Sequence, residues 1–600
     1  MADYETRTIE EVQSSTRYLL NSFRGKIDVL KKAGPDLKRL LRFGVDYDAA
    51  FRTAVRFFGK EDVKYIAIDG TDALDEQLDL LVFYVGAFAY VGSVKLSSAG
   101  VDIGDAAPGG SDLSVSAAIP LSEEDAALVF GQKTQSGVEV DPERLPGSIM
   151  HLSEYYLAYK AAVADGSLRV ILMDRTLAGD VGHLNWSTKE LVEDHACILE
   201  GIDTPHGRVS SLDLQLARML LPNSQLKTPA PRSQLLKYAA LELLFQGDQL
   251  SSQQIIGRLG AQPAREEKLR NEFGELESEF HVFEKVFNYK LRPDVKSYWE
   301  RVLAAAGMVA EHIFDPKGGH PLRFRRGARE HWITADDLDF MTLVFIHALT
   351  RKAWADNLLL IGVIKDTSAS ELVNCVVPIL ENAGKLKPGQ GLPSFNSDKM
   401  LLQTNSVINA ADVPTPWHTI DMDAAFRTMA PEQDPRLKKG EALVRGAFKN
   451  VVNAERAYVK TYIQLWSSQA NPAVRSHVFS FDRPAFAGYD HWDEVLIHHQ
   501  DDKVDEKIAP ILHFDSGSDL TNLAMAILVH MGKEVVPEAI GHNYPLFLAD
   551  KKAKAILKEN REAYLGAVAL EMSKSDLDQQ VLFSSRFRDY RSQVEAKRKR

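Results

Sequence analysis

Tyr65-Ile66-Ala67-Ile68-Asp69-Gly70-Thr71 is the stretch on which the reading of this chain turns. Four mostly apolar residues run straight into an Asp-Gly pair. The run is short, rich in β-formers and closed by a turn residue, which predicts a buried strand. An aspartate at the carboxyl end of a central strand is held rigidly and points into the crevice above the sheet. Such a carboxylate suits a metal. Alone, the plainer reading is a strand that stops at an Asp-Gly turn. A second copy shifts the balance: Arg169-Val-Ile-Leu-Met-Asp174 is another apolar run ending in aspartate, followed by Arg175-Thr176-Leu177.

Working outward, residues 5–33 and 35–59 carry helical spacing, with a break expected at Gly34-Pro35. A first strand is predicted at 64–69, a long second one over 79–97, a loop at 98–111 and a third strand at 113–119. Residues 147–164 read as a helix containing Glu154, and lead into the strand that ends at Asp174. Strands without intervening helices pair antiparallel. The one that follows a helix can lie parallel to the first through a right-handed crossover. Asp69 and Asp174 then fall on adjacent strand ends, with Glu154 on the crossover helix. The expected fold class is α/β: a ribonuclease H-like mixed sheet with flanking helices and a large helical insertion.

The remaining chain divides accordingly. We expect an N-terminal helical segment (1–60), a first part of the core (61–182), a helical insertion (183–335), a second part of the core (336–575) and a basic tail (576–600). Within the insertion, Ser251-Ser-Gln-Gln254 reads as a helix cap in a helix-turn-helix over 232–260. The glutamates that follow suit DNA readout poorly. Asn357-Leu-Leu-Leu-Ile-Gly-Val-Ile-Lys365 is a third apolar run, placing Lys365 at a strand end where it could meet a scissile phosphate. Segments 455–465 and 475–481 read as later strands, and 516–531 and 548–571 as the last helices. His498-His499-Gln-Asp501-Asp502 matches no metal-ligand spacing and reads as a solvated loop.

Composition narrows the classes. The 600 residues suggest two to four domains, or one with large insertions. An apolar share of 45% with 26% charged residues is ordinary for a globular protein. No run reaches the ~20 apolar residues of a membrane span, and the first residues lack a signal peptide's apolar core. Cys197 and Cys375 make neither a disulfide framework nor a zinc site. A cytoplasmic protein without a membrane partner is expected. The net charge of −12 argues against a chain that simply coats nucleic acid, so any DNA contact must be local. Residues 323–329 and the tail ending Lys597-Arg-Lys-Arg600 are the basic candidates.

Three carboxylates converge only at a cost unless a divalent cation lies between them. Hard oxygen donors select Mn²⁺ or Mg²⁺ over zinc. Two such ions ~4 Å apart could activate water and stabilise the leaving oxygen of a phosphodiester.

The series Ile68-Asp69-Gly70-Thr71, Glu154 on a helix, Leu172-Met173-Asp174-Arg175-Thr176-Leu177 and Gly362-Val-Ile-Lys365-Asp366 resembles the NurA nucleases. Gly541-His-Asn-Tyr-Pro-Leu-Phe-Leu-Ala-Asp550 resembles that family's late segment: Gly-Tyr-Pro, a short apolar stretch and Ala-His. The resemblance covers residues 60–180 and 340–570. It implies a manganese-dependent DNA nuclease with a ribonuclease H-like sheet, a homodimer, and partnership with HerA, a hexameric DNA-translocating ATPase. It also implies that Asp69, Glu154 and Asp174 are metal ligands, with Lys365 nearby. Two positions depart from the pattern. Arg175 stands where the family's Asp-Gly-Ser-Leu motif has glycine. The late histidine and the tyrosine before it align with Asp550 and His542, so one of these two takes the late role or activity is altered. A non-catalytic scaffold on the same ATPase is the alternative. An actin- or sugar-kinase-like ATPase is a third reading, but it needs a glycine-rich adenosine site that the later strands lack.

Overall fold

The structure is a computed structural model. It describes residues 2–76, 80–105, 113–122, 125, 144–221, 236–247, 249–259, 261, 263–284, 288–317, 319–382, 384–386, 395–423, 429–431, 443–446, 457–490, 495–499, 504–508, 513–515, 517–532, 543–572 and 574. His542 and the basic tail lie outside the described residues.

The chain opens on helix α1 (Ala2–Arg39), strand β1 (Leu41–Phe43) and helix α2 (Tyr47–Phe58). Helix α1 runs through Gly34-Pro35, so the expected break is absent. A proline inside a helix forfeits one backbone hydrogen bond. Here Leu30 and Leu37, on either side of it, are buried in a cluster with Leu401, Leu402 and Trp417. Packing of this face outweighs the local signal.

Four strands follow: β2 (Asp62–Glu76), β3 (Leu80–Ser97), β4 (Gly100–Asp105) and β5 (Leu113–Ser122). Strand β4 falls within the expected loop at 98–111. Its glycines and short length mask the alternation of Val101 and Ile103, which is visible only once β4 pairs with β3. Helix α3 (Arg144–Ala164) then crosses to β6 (Leu168–Met173), and helix α4 (Leu177–Ser187) follows. Much of the next stretch is helical, including Ser211–Met219, Leu236–Phe245, Ser252–Arg258, Glu266–Phe280 and Tyr298–Phe314. The expected cap at Ser251 is present: its hydroxyl accepts the Gln254 amide at 3.2 Å, and the Gln254 side chain accepts the Ser251 amide at 2.9 Å.

Helix α5 (Ala335–Asp356) returns the chain to strand β7 (Leu359–Ile364), followed by helix α6 (Asp398–Ile408). The short strands β8 (Trp417–Thr419) and β9 (Met422–Asp423) precede β10 (Tyr458–Gln464) and β11 (Phe479–Pro484). Helices α7 (Asp519–Met531) and α8 (Tyr544–Met572) come last. A separate four-stranded sheet joins Met429–Pro431, Leu443–Gly446, Val495–His499 and Val504–Ile508.

The main sheet has eleven strands in the order β1-β8-β10-β11-β7-β6-β2-β3-β4, with β5 also on β3 and β9 on β10. Strands β2, β3 and β4 pair antiparallel, β6 lies parallel to β2, and β7 lies parallel to β6. This is the ribonuclease H-like arrangement, made by a crossover through α3. Antiparallel strands β11, β10, β8 and β1 extend it beyond β7. The central strands are covered on both faces, so they read as continuous apolar runs rather than alternating ones. Tyr65, Ile66, Ala67 and Ile68 of β2 and Val170 to Met173 of β6 are all buried in one core with Leu359, Leu360 and Ile361 of β7. Each large apolar side chain buried this way contributes roughly 1.5–3 kcal/mol.

Candidate active site

Ile68 of β2 and Met173 of β6 are register partners, and the Asp174 amide donates to the Ile68 carbonyl at 3.3 Å. The next residues, Asp69 and Asp174, therefore stand side by side. Asp69 is not at a strand end, as expected, but inside β2, which runs on against β3 as far as Glu76. The crevice exists because β6 stops at Met173 and β7 at Ile364, while β2 continues.

Gly70 is likewise not a turn glycine. A Cβ placed on it would lie 2.4 Å from Glu154 Oε1 and 2.8 Å from Met150 Cγ. Lacking that atom, β2 lets helix α3 bring Glu154 against its backbone. The opposite face belongs to α8. Residues paired across an antiparallel ladder share a face, and Phe88, the partner of Asp69, packs against Ala549 and Ala553 of α8. Asp550, on the same helix, approaches Asp69 closely enough to act on its charge. Asp550 itself is paired with Lys554 at 2.6 Å.

The electrostatics follow from this crowding. Asp69 is pushed up to about 8, first by burial, then by the charges of Asp174 and Glu154, with Lys365 opposing and Asp550 adding. Glu154 is pushed up to about 7 by burial, with Arg175 opposing. Two cations reach in. Lys365, just past β7, donates to Asp174 Oδ2, and Arg175 Nε donates to Glu154 Oε2. Burial pulls the Arg175 guanidinium down, but Glu154 and Asp180 together hold it above its ordinary range. Among the described residues no three His, Cys, Asp or Glu side chains form a ready metal cluster. The pairings supply a reason: Asp174 faces Lys365 and Glu154 faces Arg175. Asp69 and Asp174 carry oxygen donors of the hard kind that Mg²⁺ and Mn²⁺ take. Glu154 Oε2 is taken up by Arg175.

Several residues that the sequence reading passed over build the floor of this site. Asp180, in the first turn of α4, accepts a hydrogen bond from the Tyr155 hydroxyl at 2.7 Å and lies 3.8 Å from Arg175 Nη1. Asp482 of β11 accepts from the Leu177 and Ala178 amides at 3.0 Å each and from the Thr176 hydroxyl at 2.8 Å, pinning the turn that carries Asp174 and Arg175. Burial pushes Asp482 up to about 6, against those hydrogen bonds. An aspartate inside the apolar strand Phe479-Ser-Phe-Asp482 was the available signal. Lys399 of α6 donates to Asp366 Oδ1 at 2.7 Å and holds the segment after Lys365.

Gly362 of β7 is the second glycine set by close approach. An added Cβ would fall 2.4 Å from both the Arg175 carbonyl and Asp482 Oδ1. Gly362→Ala is therefore expected to displace the 174–178 turn and cut activity at least tenfold, while leaving the far strands β3 to β5 intact. Hydrogen exchange checks this: lost protection should be confined to β7, the facing part of β11 and the start of α4.

Other candidates stand apart. The basic stretch at 323–329 enters a hairpin, Arg323–Arg326 with Arg329–Trp332. Arg323 lies over the Trp332 ring at 4.4 Å and 3.4 Å from Asp125, and Arg326 donates to the Glu200 carbonyl at 2.7 Å. Two of its arginines are thus already engaged. His498 and His499 lie on a strand of the separate sheet rather than in the expected loop. No helix among the described residues is long and apolar enough to cross a membrane.

The chain is similar to NurA nucleases. The NurA nuclease from Sulfolobus solfataricus aligns over 94% of this chain and 98% of its own, at 12% identity and a TM-score of 0.34. A NurA structure bound to dAMP and manganese aligns over 90% of this chain and 92% of its own, at 13% identity and a TM-score of 0.32. A NurA structure with manganese covers 93% and 98%, at 12% identity and a TM-score of 0.28. No family model and no curated protein matches the chain.

Proposed function

We propose that this protein is a metal-dependent DNA nuclease that hydrolyses phosphodiester bonds. The observation that carries the reading is the meeting of Asp69 and Asp174 at the crevice beside β2, with Glu154 and Asp550 near enough to raise Asp69. Buried carboxylates that repel one another persist where a cation or substrate rewards them. A divalent cation held by Asp69 and Asp174 would polarise a phosphoryl oxygen and lower the pKa of a bound water. Lys365, which donates to Asp174 here, would be the nearby cation able to donate to a phosphate oxygen if an ion took Asp174. Asp550, whose charge acts on Asp69 from α8, is our candidate for the late role, in proton transfer or metal binding, that the sequence left open between it and His542.

The acidity of the chain supports a partner that delivers the DNA, since a net charge of −12 works against an unaided grip on phosphates. A homodimer acting with a HerA-type hexameric ATPase, in DNA end processing or defence against foreign DNA, is the fuller proposal. The test is cleavage of linear and circular DNA with Mn²⁺, Mg²⁺ or EDTA, with and without that ATPase. Metal-dependent products support the nuclease, and products only with the ATPase support the partnership. One observation favours a non-catalytic scaffold instead: Arg175 and Lys365 already compensate two of the carboxylates. Binding of the ATPase with no cleavage under any condition would decide for it.

Metal and pH are linked through Asp69. Its pKa in the fold, about 8, lies above the ordinary carboxylate range. A raised value means that the folded state holds the proton more tightly. The stability contributed is fully present below the unfolded pKa and is lost as pH rises toward 8. Metal-free protein is therefore expected to lose stability between about pH 4 and pH 8 through this group. Mn²⁺ should restore it, most strongly near pH 8. Melting curves with EDTA and with Mn²⁺ across that range check the sign.

A further inference from the structure

Arg175 stands beside Asp174 in sequence and turns its guanidinium onto Glu154. Its side chain is 14% exposed and Glu154's is 4% exposed, so this is a buried pair and not a surface contact. The guanidinium has a second carboxylate, Asp180, 3.8 Å away, and Asp180 is fixed in turn by Tyr155. The backbone of residue 175 is also held, because Asp482 pins the following turn and Gly362 lets it lie against β7. Arginine stays charged at any working pH, so this cation is permanent.

We propose that Arg175 is a built-in cation that takes Glu154 out of metal binding, so that this site holds a single divalent ion on Asp69 and Asp174 rather than two. The inference rests on the nuclease reading above and specifies its metal content. Arg175 is a positioning residue here: it acts by fixing Glu154, and through Glu154 it limits the negative charge open to the crevice. The desolvation cost of the buried arginine is met by Glu154 and Asp180 together, which is the condition under which a buried ion pair is tolerated. Removal of the arginine would leave Glu154 as an open, buried carboxylate beside Asp174, a third donor that a second ion could use.

The experiment is the stoichiometry of Mn²⁺ binding to the full chain at pH 8, read from the free Mn²⁺ resonance by electron paramagnetic resonance and from calorimetry. Wild type is expected to bind one ion. Arg175→Gly is expected to bind two. Glu154→Gln, which keeps a side chain able to accept from Arg175, is expected to bind one ion with an affinity loss no greater than the roughly 10–100-fold of a residue outside the coordination shell. Two ions on wild type, one ion on a folded Arg175→Gly, or loss of the ion in Glu154→Gln would each overturn the proposal while leaving a metal-dependent nuclease standing. No Mn²⁺ bound by wild type would overturn both together.

Discussion

Asp69→Ala is expected to abolish metal-dependent cleavage, with a loss of about a thousandfold or more and no loss of fold. The size follows from what a metal supplies: several kcal/mol of charge stabilisation in the transition state, at a factor of ten per ~1.4 kcal/mol. The retained fold follows from the same electrostatics. Asp69 is pushed up to about 8, by burial and then by Asp174 and Glu154, so its charge opposes the folded state. Removing it relieves repulsion. Metal-free Asp69→Ala should melt no lower than wild type at pH 8, and Mn²⁺ should no longer raise its melting temperature. Single-turnover cleavage alongside melting separates this from a variant that is merely unfolded, which would lose both.

Asp490→Ala is the variant expected to damage the fold most. Asp490 is wholly buried and accepts from Arg483 at 2.9 and 2.8 Å, from the Phe486 amide at 2.7 Å and from the Ser518 hydroxyl at 3.2 Å. Arg483 also donates to Ser518 at 3.0 Å and Thr521 at 3.2 Å, so the pair ties β11 to α7. Loss of one partner leaves a guanidinium buried without its counter-charge, which costs roughly 3–5 kcal/mol. Burial pushes the Asp490 carboxyl up, but Arg483 outweighs it and holds the group below its ordinary value. For a depressed pKa the stabilisation is present above the unfolded value, near 4, and is lost as pH falls through the folded one. Urea midpoints should therefore drop at neutral pH in Asp490→Ala, and the gap from wild type should narrow on acidification below about pH 4. An equal gap at pH 3 and pH 7 would assign the effect to packing.

Much of the site could be read before the structure because its main signals are local. Two apolar runs that end in aspartate, a helix between them and the handedness of the crossover suffice to set Asp69 beside Asp174 with Glu154 near. What escaped the sequence depends on distant partners. Asp482 lies 306 residues from the Thr176 hydroxyl that donates to it. The close approach of Glu154 to Gly70 needs the packing of α3 on β2, which turned an apparent Asp-Gly turn into a strand interior. Helix α1 continued through Gly34-Pro35 because a buried face overrode a local breaker. Arg175 stood out only as a departure from a motif. That it pairs with Glu154 is a property of the folded turn.

The claim that Asp69 and Asp174 hold a divalent cation is tested most directly by diffraction from crystals soaked in Mn²⁺, measured at the manganese absorption edge. An anomalous peak in contact with both carboxylates, with Lys365 displaced from Asp174, is the expected result. Ordered density for both aspartates with no peak between them, and Lys365 still on Asp174, would contradict it.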